Sequence, residues 1–302
     1  MLPVTKILYS VKELLAEIKS VDIQVILDKG LKNKIEFVDF DGGNTTMSHI
    51  TSDGQVVLSI GFCQLLWNIC YVALRNSECK RFADSCEELK VPAELLKQVI
   101  IDVNMSEFAY LTEAFNAESD KEMLSVGYNC INHALSPKEY DYFERVDMNN
   151  SFCQTVNGLC GAAITFVLLH ELFHWERDHF YRSIRRIEKE READKYAFET
   201  MLKNYTGKKK NTAIIGSICC LCANLFINPR FSNDGNYPYE DERLFTQYNK
   251  VSTYKSLSLI VDRIITIWAG FFYKELAVKL EGLSDTQGRI NLIQKELAVY
   301  GR

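Results

Sequence analysis

LCGAAITFVLLHELFHW, residues 159–175, is the stretch on which the reading of this chain turns. Leu159 to Leu169 is an apolar run without a charge, and it leads directly into His170-Glu171-Leu172-Phe173-His174. Such a run followed by an H-E-x-x-H predicts a buried helix with two imidazoles on one face, because residues four apart lie one turn from each other. Both rings can then converge on one cation. Glu171, one residue along, points to the side of that pair, where it can reach a water held at the cation's open position. A metal lowers the pKa of such a water toward about 7 and the carboxylate takes its proton, which gives a nucleophile suited to an amide carbonyl. The alternative is a chance pattern on a structural helix. With five histidines in 302 residues coincidence explains little, and two imidazoles and a carboxylate burden a buried helix unless something pairs them.

A catalytic zinc needs a third protein ligand. Downstream stands Glu190-Arg191-Glu192-Ala193-Asp194, an E-x-x-A-D. Glu190 and Asp194 share a helical face, and the small Ala193 and Ala197 beside them would let this helix lie close to the first. Glu190 is the expected ligand, and Asp194 is expected to accept the second ring N–H of a ligating histidine, fixing its tautomer. A charged, solvated helix surface is the competing reading, since Arg185 to Lys195 is rich in both signs. Glu192 lies about 200° from Glu190 around a helix and cannot share the Asp194 face. His179 is rotated off the ligand face, and Trp175 is expected to pack beneath the site.

Geometry constrains the pairing. Glu190 follows His174 by sixteen positions, and an unbroken helix would hold them roughly 24 Å apart. The chain must therefore reverse between them. No Gly or Pro marks the turn, so it is expected between Asp178 and Ser183, two residues able to cap a new helix.

The set His170-Glu171-Leu172-Phe173-His174-Trp175 with His179, then Glu190-x-x-Ala193-Asp194, resembles the gluzincin metallopeptidases with an E-x-x-A-D motif, among them the HtpX and CAAX-prenyl-protease group. Length and short motif spacing make it most similar to the Lit family of phage-exclusion peptidases. The resemblance implies a zincin-like core, bound Zn2+ and a cytoplasmic protease acting on a host protein, a translation elongation factor in that family's best-known member. The motifs span about His170 to Ala197, with a looser echo at Tyr237-Pro238 and Arg243, where the HtpX-like group reads His-Pro and then Arg. Tyr237 replaces that histidine, and a hydrogen bond from its hydroxyl to a tetrahedral oxyanion is one role open to it, an ordinary loop aromatic the other.

Outside the motifs the chain is ordinary. Its 47% apolar content can bury a large core. A net charge of -5 argues against a nucleic-acid partner, since phosphate binding demands surplus clustered Lys and Arg. Lys208, Lys209 and Lys210, after Gly207, read as a solvated turn without a role. The ten cysteines are scattered and no leader pattern opens the chain, which suits a reducing cytoplasm. Cys219, Cys220 and Cys222 are expected as core thiols. Thr212 to Ile227 is short for a membrane span, and Leu257 to Tyr273 carries Asp262 and Arg263, so both are expected as buried helices, with peripheral membrane contact left open.

The expected fold is α+β and predominantly α-helical, one domain over 1–302. An α/β portion, 1–60, opens with an amphipathic helix whose stripe is Ile7, Val11, Leu14, Leu15 and Ile18. A small antiparallel sheet built from Ile23 to Leu27, Ile35 to Phe40 and Val56 to Ile60 follows, and 61–302 forms the helical catalytic portion. Asn228 to Tyr239 reads as the clearest long loop. The function these residues support best is zinc-dependent hydrolysis of a specific protein by an endopeptidase. Kinship with the ImmA/IrrE regulators that cleave repressors would use the same ligands, and a non-catalytic zinc-binding module is disfavoured by the intact Glu171.

Overall fold

The computed structural model describes residues 4–18, 35–38, 49–50, 56–89, 117–132, 151–178, 185–228, 239–283 and 285–300. It is predominantly helical. The elements in chain order are α1 (Val4–Ala16), β1 (Ile35–Val38), β2 (His49–Ile50), β3 (Val56–Ser59), α2 (Ile60–Leu89), α3 (Ala117–Asn132), α4 (Ser151–Asp178), α5 (Arg186–Asn204), α6 (Gly207–Ile227), α7 (Glu240–Val251), α8 (Lys255–Phe272), α9 (Lys274–Glu281) and α10 (Thr286–Tyr300).

From Leu159 to Leu169 helix α4 is apolar on every face and is accordingly buried all round. It packs against α1, α2, α5 and α6. The N-terminal stripe forms as its spacing predicts: Ile7, Val11, Leu15 and Ile18 are buried, with Leu14 partly so. Tyr205, between α5 and α6, donates its hydroxyl to the Leu14 carbonyl at 2.7 Å and so pins α1.

Gly216 lets α6 lie against α4. A Cβ at that position would stand 2.8 Å from Ala162 Cβ and 2.9 Å from both Ala163 N and Leu159 O, closer than real side chains approach. The two helices thus touch almost backbone to backbone. The adjoining thiols Cys219, Cys220 and Cys222 are free and buried, as core thiols should be. Gly207 opens α6 with φ 54°, a left-handed conformation that suits glycine.

Charged residues are buried where three helices meet. Asp120 of α3 pairs with Arg75 of α2 through one oxygen and with Arg263 of α8 through the other, at 2.8 Å to Nη2 and 3.0 Å to Nε. Arg75 and Asp120 are each 1% exposed. Arg263, which argued against a membrane span, is thus answered by an acid on another helix. Its neighbour Asp262 accepts from Arg289 of α10 at 2.7 Å.

Several expectations need correcting. The sheet is mixed: the order is β1-β3-β2, with β1 parallel and β2 antiparallel to β3. Alternating hydrophobicity marks a strand but carries no direction, and the long link between β1 and β3 leaves room for the crossover that a parallel pair needs. Ile23 to Leu27 lies outside the described residues. Lys208, Lys209 and Lys210 occupy the first turn of α6 rather than a separate turn, and Lys209 pairs with Glu17, tying α6 to the end of α1. Ser151–Trp175 of α4 and Gly207–Ile227, the whole of the lengthened α6, are both long and apolar enough to cross a membrane by length and composition, although most of each is buried against other helices here.

Candidate metal centre

The site forms where α4 and α5 meet. α4 ends at Asp178 and α5 begins at Arg186, so the chain reverses between them as the ligand geometry requires. The N-cap of α5 is Arg185, whose guanidinium donates to Glu188 at 2.5 Å. Ser183 is therefore not the cap, and it lies with His179 outside the described residues. Ala193 and Ala197 are fully buried on the α5 face that carries Glu190 and Asp194, which is how the two helices come close enough.

His170 and His174 stand one turn apart with their rings nearly perpendicular, at 79°, and their Nε2 atoms 3.0 Å from each other. Glu190 faces both: Oε2 is 3.2 Å from His170 Nε2 and Oε1 is 3.3 Å from His174 Nε2. These three side chains are the one such group among the described residues with metal-ligating atoms close enough to share an ion. Tetrahedral zinc with bonds of about 2.0–2.1 Å sets neighbouring ligand atoms about 3.3 Å apart, and the two ring nitrogens, with a carboxylate oxygen close to each, lie near that spacing. The donor set, two imidazoles and a carboxylate, also suits it.

Asp194 sits behind the first histidine, its Oδ1 2.9 Å from His170 Nδ1. A carboxylate on Nδ1 favours the Nδ1–H tautomer and leaves the Nε2 lone pair facing His174 and Glu190. Two ring nitrogens so close, both aimed at one acid, call for positive charge between them. Without a cation that charge is a proton: burial pushes the His170 pKa down, but hydrogen bonds to Asp194 and Glu190 outweigh it and raise it to about 9. Burial likewise pushes Glu190 up, and its bonds to His170 and His174 reverse this and hold it well below the usual carboxylate range.

Glu171 is half-buried at the side of the pair. Burial raises its pKa, with His170 and His174 opposing the rise, so the group binds a proton more readily than an exposed glutamate. Glu192 is exposed, which removes it as a ligand, and Trp175 packs against the core.

Arg243, in the first turn of α7, was visible in the sequence only as an echo of a family pattern. In the fold it grips Asp194 with two donors: Nε to Oδ2 at 2.7 Å and Nη2 to Oδ1 at 2.8 Å. Asp194 is 1% exposed. Burial raises its pKa and Arg243 more than offsets this, which keeps the carboxylate ionised. The start of α7 is fastened twice more: Asn228 donates to both Glu240 oxygens at 3.2 Å, and Arg191 pairs with Glu242 at 2.5 Å. No pattern of spacing announces these links, since each joins residues on different helices. Tyr237 lies outside the described residues.

No curated protein and no solved structure matches the chain. A family model does match, over residues 56–261, a segment that runs from β3 into α8 and contains every described residue of the site. Covering well over half of the sequence, that match places the chain in the Peptidase U49 family, a family of peptidases.

Proposed function

We propose that this peptidase is a zinc-dependent endopeptidase in which His170, His174 and Glu190 hold the metal and Glu171 is the general base. The observation that carries this reading is the convergence of three side chains from two helices, the two Nε2 atoms 3.0 Å apart and each within 3.3 Å of a Glu190 carboxylate oxygen. Zinc bound there supplies Lewis acidity, acidifying a water toward neutral pH and polarising the scissile carbonyl. Glu171 takes the proton of the attacking water. Its burial supports that role, because a carboxylate with a raised pKa is a stronger base nearer working pH. The same carboxyl, once protonated, can deliver the proton to the departing amine.

The resemblance to the Lit group extends the proposal to a cytoplasmic enzyme cleaving one intracellular protein, a translation elongation factor being the first substrate to try, in phage exclusion. The test is to express the wild type and Glu171→Gln in a bacterial host and compare proteomes for new protein termini. Termini produced by the wild type and missing with the variant are expected. Identical termini from both would remove Glu171 as the base.

A further inference from the structure

The geometry points to Arg243 as a positioning residue for the metal centre: its guanidinium fork sets the plane of the Asp194 carboxylate, and that carboxylate sets the His170 ring. The inference rests on the metal reading above and concerns how the site is kept in shape. An aspartate carboxyl rotates over a broad torsional range when nothing holds it. Here both oxygens are taken by one rigid planar group, at 2.7 and 2.8 Å, and the oxygen bonded to Nη2 is the one that lies 2.9 Å from His170 Nδ1. A bidentate fork fixes orientation as well as distance, which a single donor cannot do. Asp194 is 1% exposed, so the fork and not bulk water holds its carboxylate.

The fork is itself anchored. Arg243 leaves α7 one turn after Glu240, which Asn228 holds at the end of α6, and beside Glu242, which Arg191 holds on α5. Leu244, the next residue, is completely buried. The line Arg243, Asp194, His170 thus transmits the seating of α7 to a metal ligand on α4.

The sign of one measurement separates positioning from simple electrostatics. A guanidinium near the site repels a cation, so if its charge alone mattered, removing it would tighten metal binding. If it positions Asp194, removing it weakens binding by about 10- to 100-fold, the loss typical of groups that orient a ligand from behind.

The test measures Zn2+ affinity by competition with a chromophoric chelator, and the visible spectrum of the Co2+-loaded protein, for full-length wild type, Arg243→Gln, Arg243→Lys, Asp194→Asn, the Arg243→Gln/Asp194→Asn pair and Leu276→Ala. Both Arg243 variants should lose affinity and shift the Co2+ bands, lysine included because it restores charge without the fork. The paired variant should bind no more weakly than Asp194→Asn alone, and Leu276→Ala, which removes a fully buried side chain of α9 and leaves α7 and the fork seated, should bind as the wild type does. Equal or tighter binding in Arg243→Gln, or full recovery in Arg243→Lys, would overturn the positioning role while leaving the metal centre intact. A wild type that binds neither ion would overturn the metal centre itself.

Discussion

His174 Nε2 lies 3.3 Å from Glu190 Oε1, a contact between two helices that the chain reaches only by reversing direction. Everything assigned to the site depends on that approach.

Replacing either partner should therefore empty the site. His174→Ala or Glu190→Ala is expected to lower bound zinc from about one per chain toward zero after dialysis, read by elemental analysis. Full occupancy in the Glu190 variant would give the third position to another residue.

Metal affinity should rise with pH. The His170 pKa, about 9 in the fold, exceeds the value of about 6.5 for an unfolded histidine. The proton is thus held more tightly by the folded chain: its stabilising effect is complete below about pH 6.5 and is lost as pH climbs through about 9. Zinc must displace that proton. The gap between the melting temperatures of zinc-loaded and chelator-treated protein should widen from about pH 6.5 to 9, and a gap that narrows over this window would contradict the assignment.

Gly216→Ala should destabilise the whole molecule, because its Cβ would press on Ala162, Ala163 and Leu159. Overpacking of this kind costs about 1–3 kcal/mol, visible as a lower melting temperature. An unchanged melting temperature would show that α4 and α6 part without penalty.

Asp120→Asn should cost more, about 3–5 kcal/mol in chemical denaturation, since it removes the negative charge that the buried Arg75 and its neighbour Arg263 share. Loss of the exposed Lys209 to Glu17 pair in Lys209→Ala should cost under about 1 kcal/mol. Comparable losses in the two variants would mean burial does not decide the strength of these pairs.

Much of this was legible along the chain. The α1 stripe, the uncharged run of α4 and the paired faces at His170/His174 and Glu190/Asp194 follow from a helix period of 3.6 residues, a local property. The mixed sheet was not legible: strand direction depends on the route of the connecting segment, and β2 is only two residues long. The grip of Arg243 on Asp194 was equally hidden, because it joins α7 to α5 and nothing near either residue encodes the other.

Local composition was enough to specify which residue types could bind a metal and which helical faces carried them, since chemistry and periodicity are written residue by residue. Their meeting was a matter of packing. Ala193, Ala197 and Gly216 let α4, α5 and α6 close up, and long-range contacts of this kind bring Glu190 to the histidines and Arg243 to Asp194 because a carboxylate or guanidinium drawn out of water must find a partner on whatever helix the fold lays beside it.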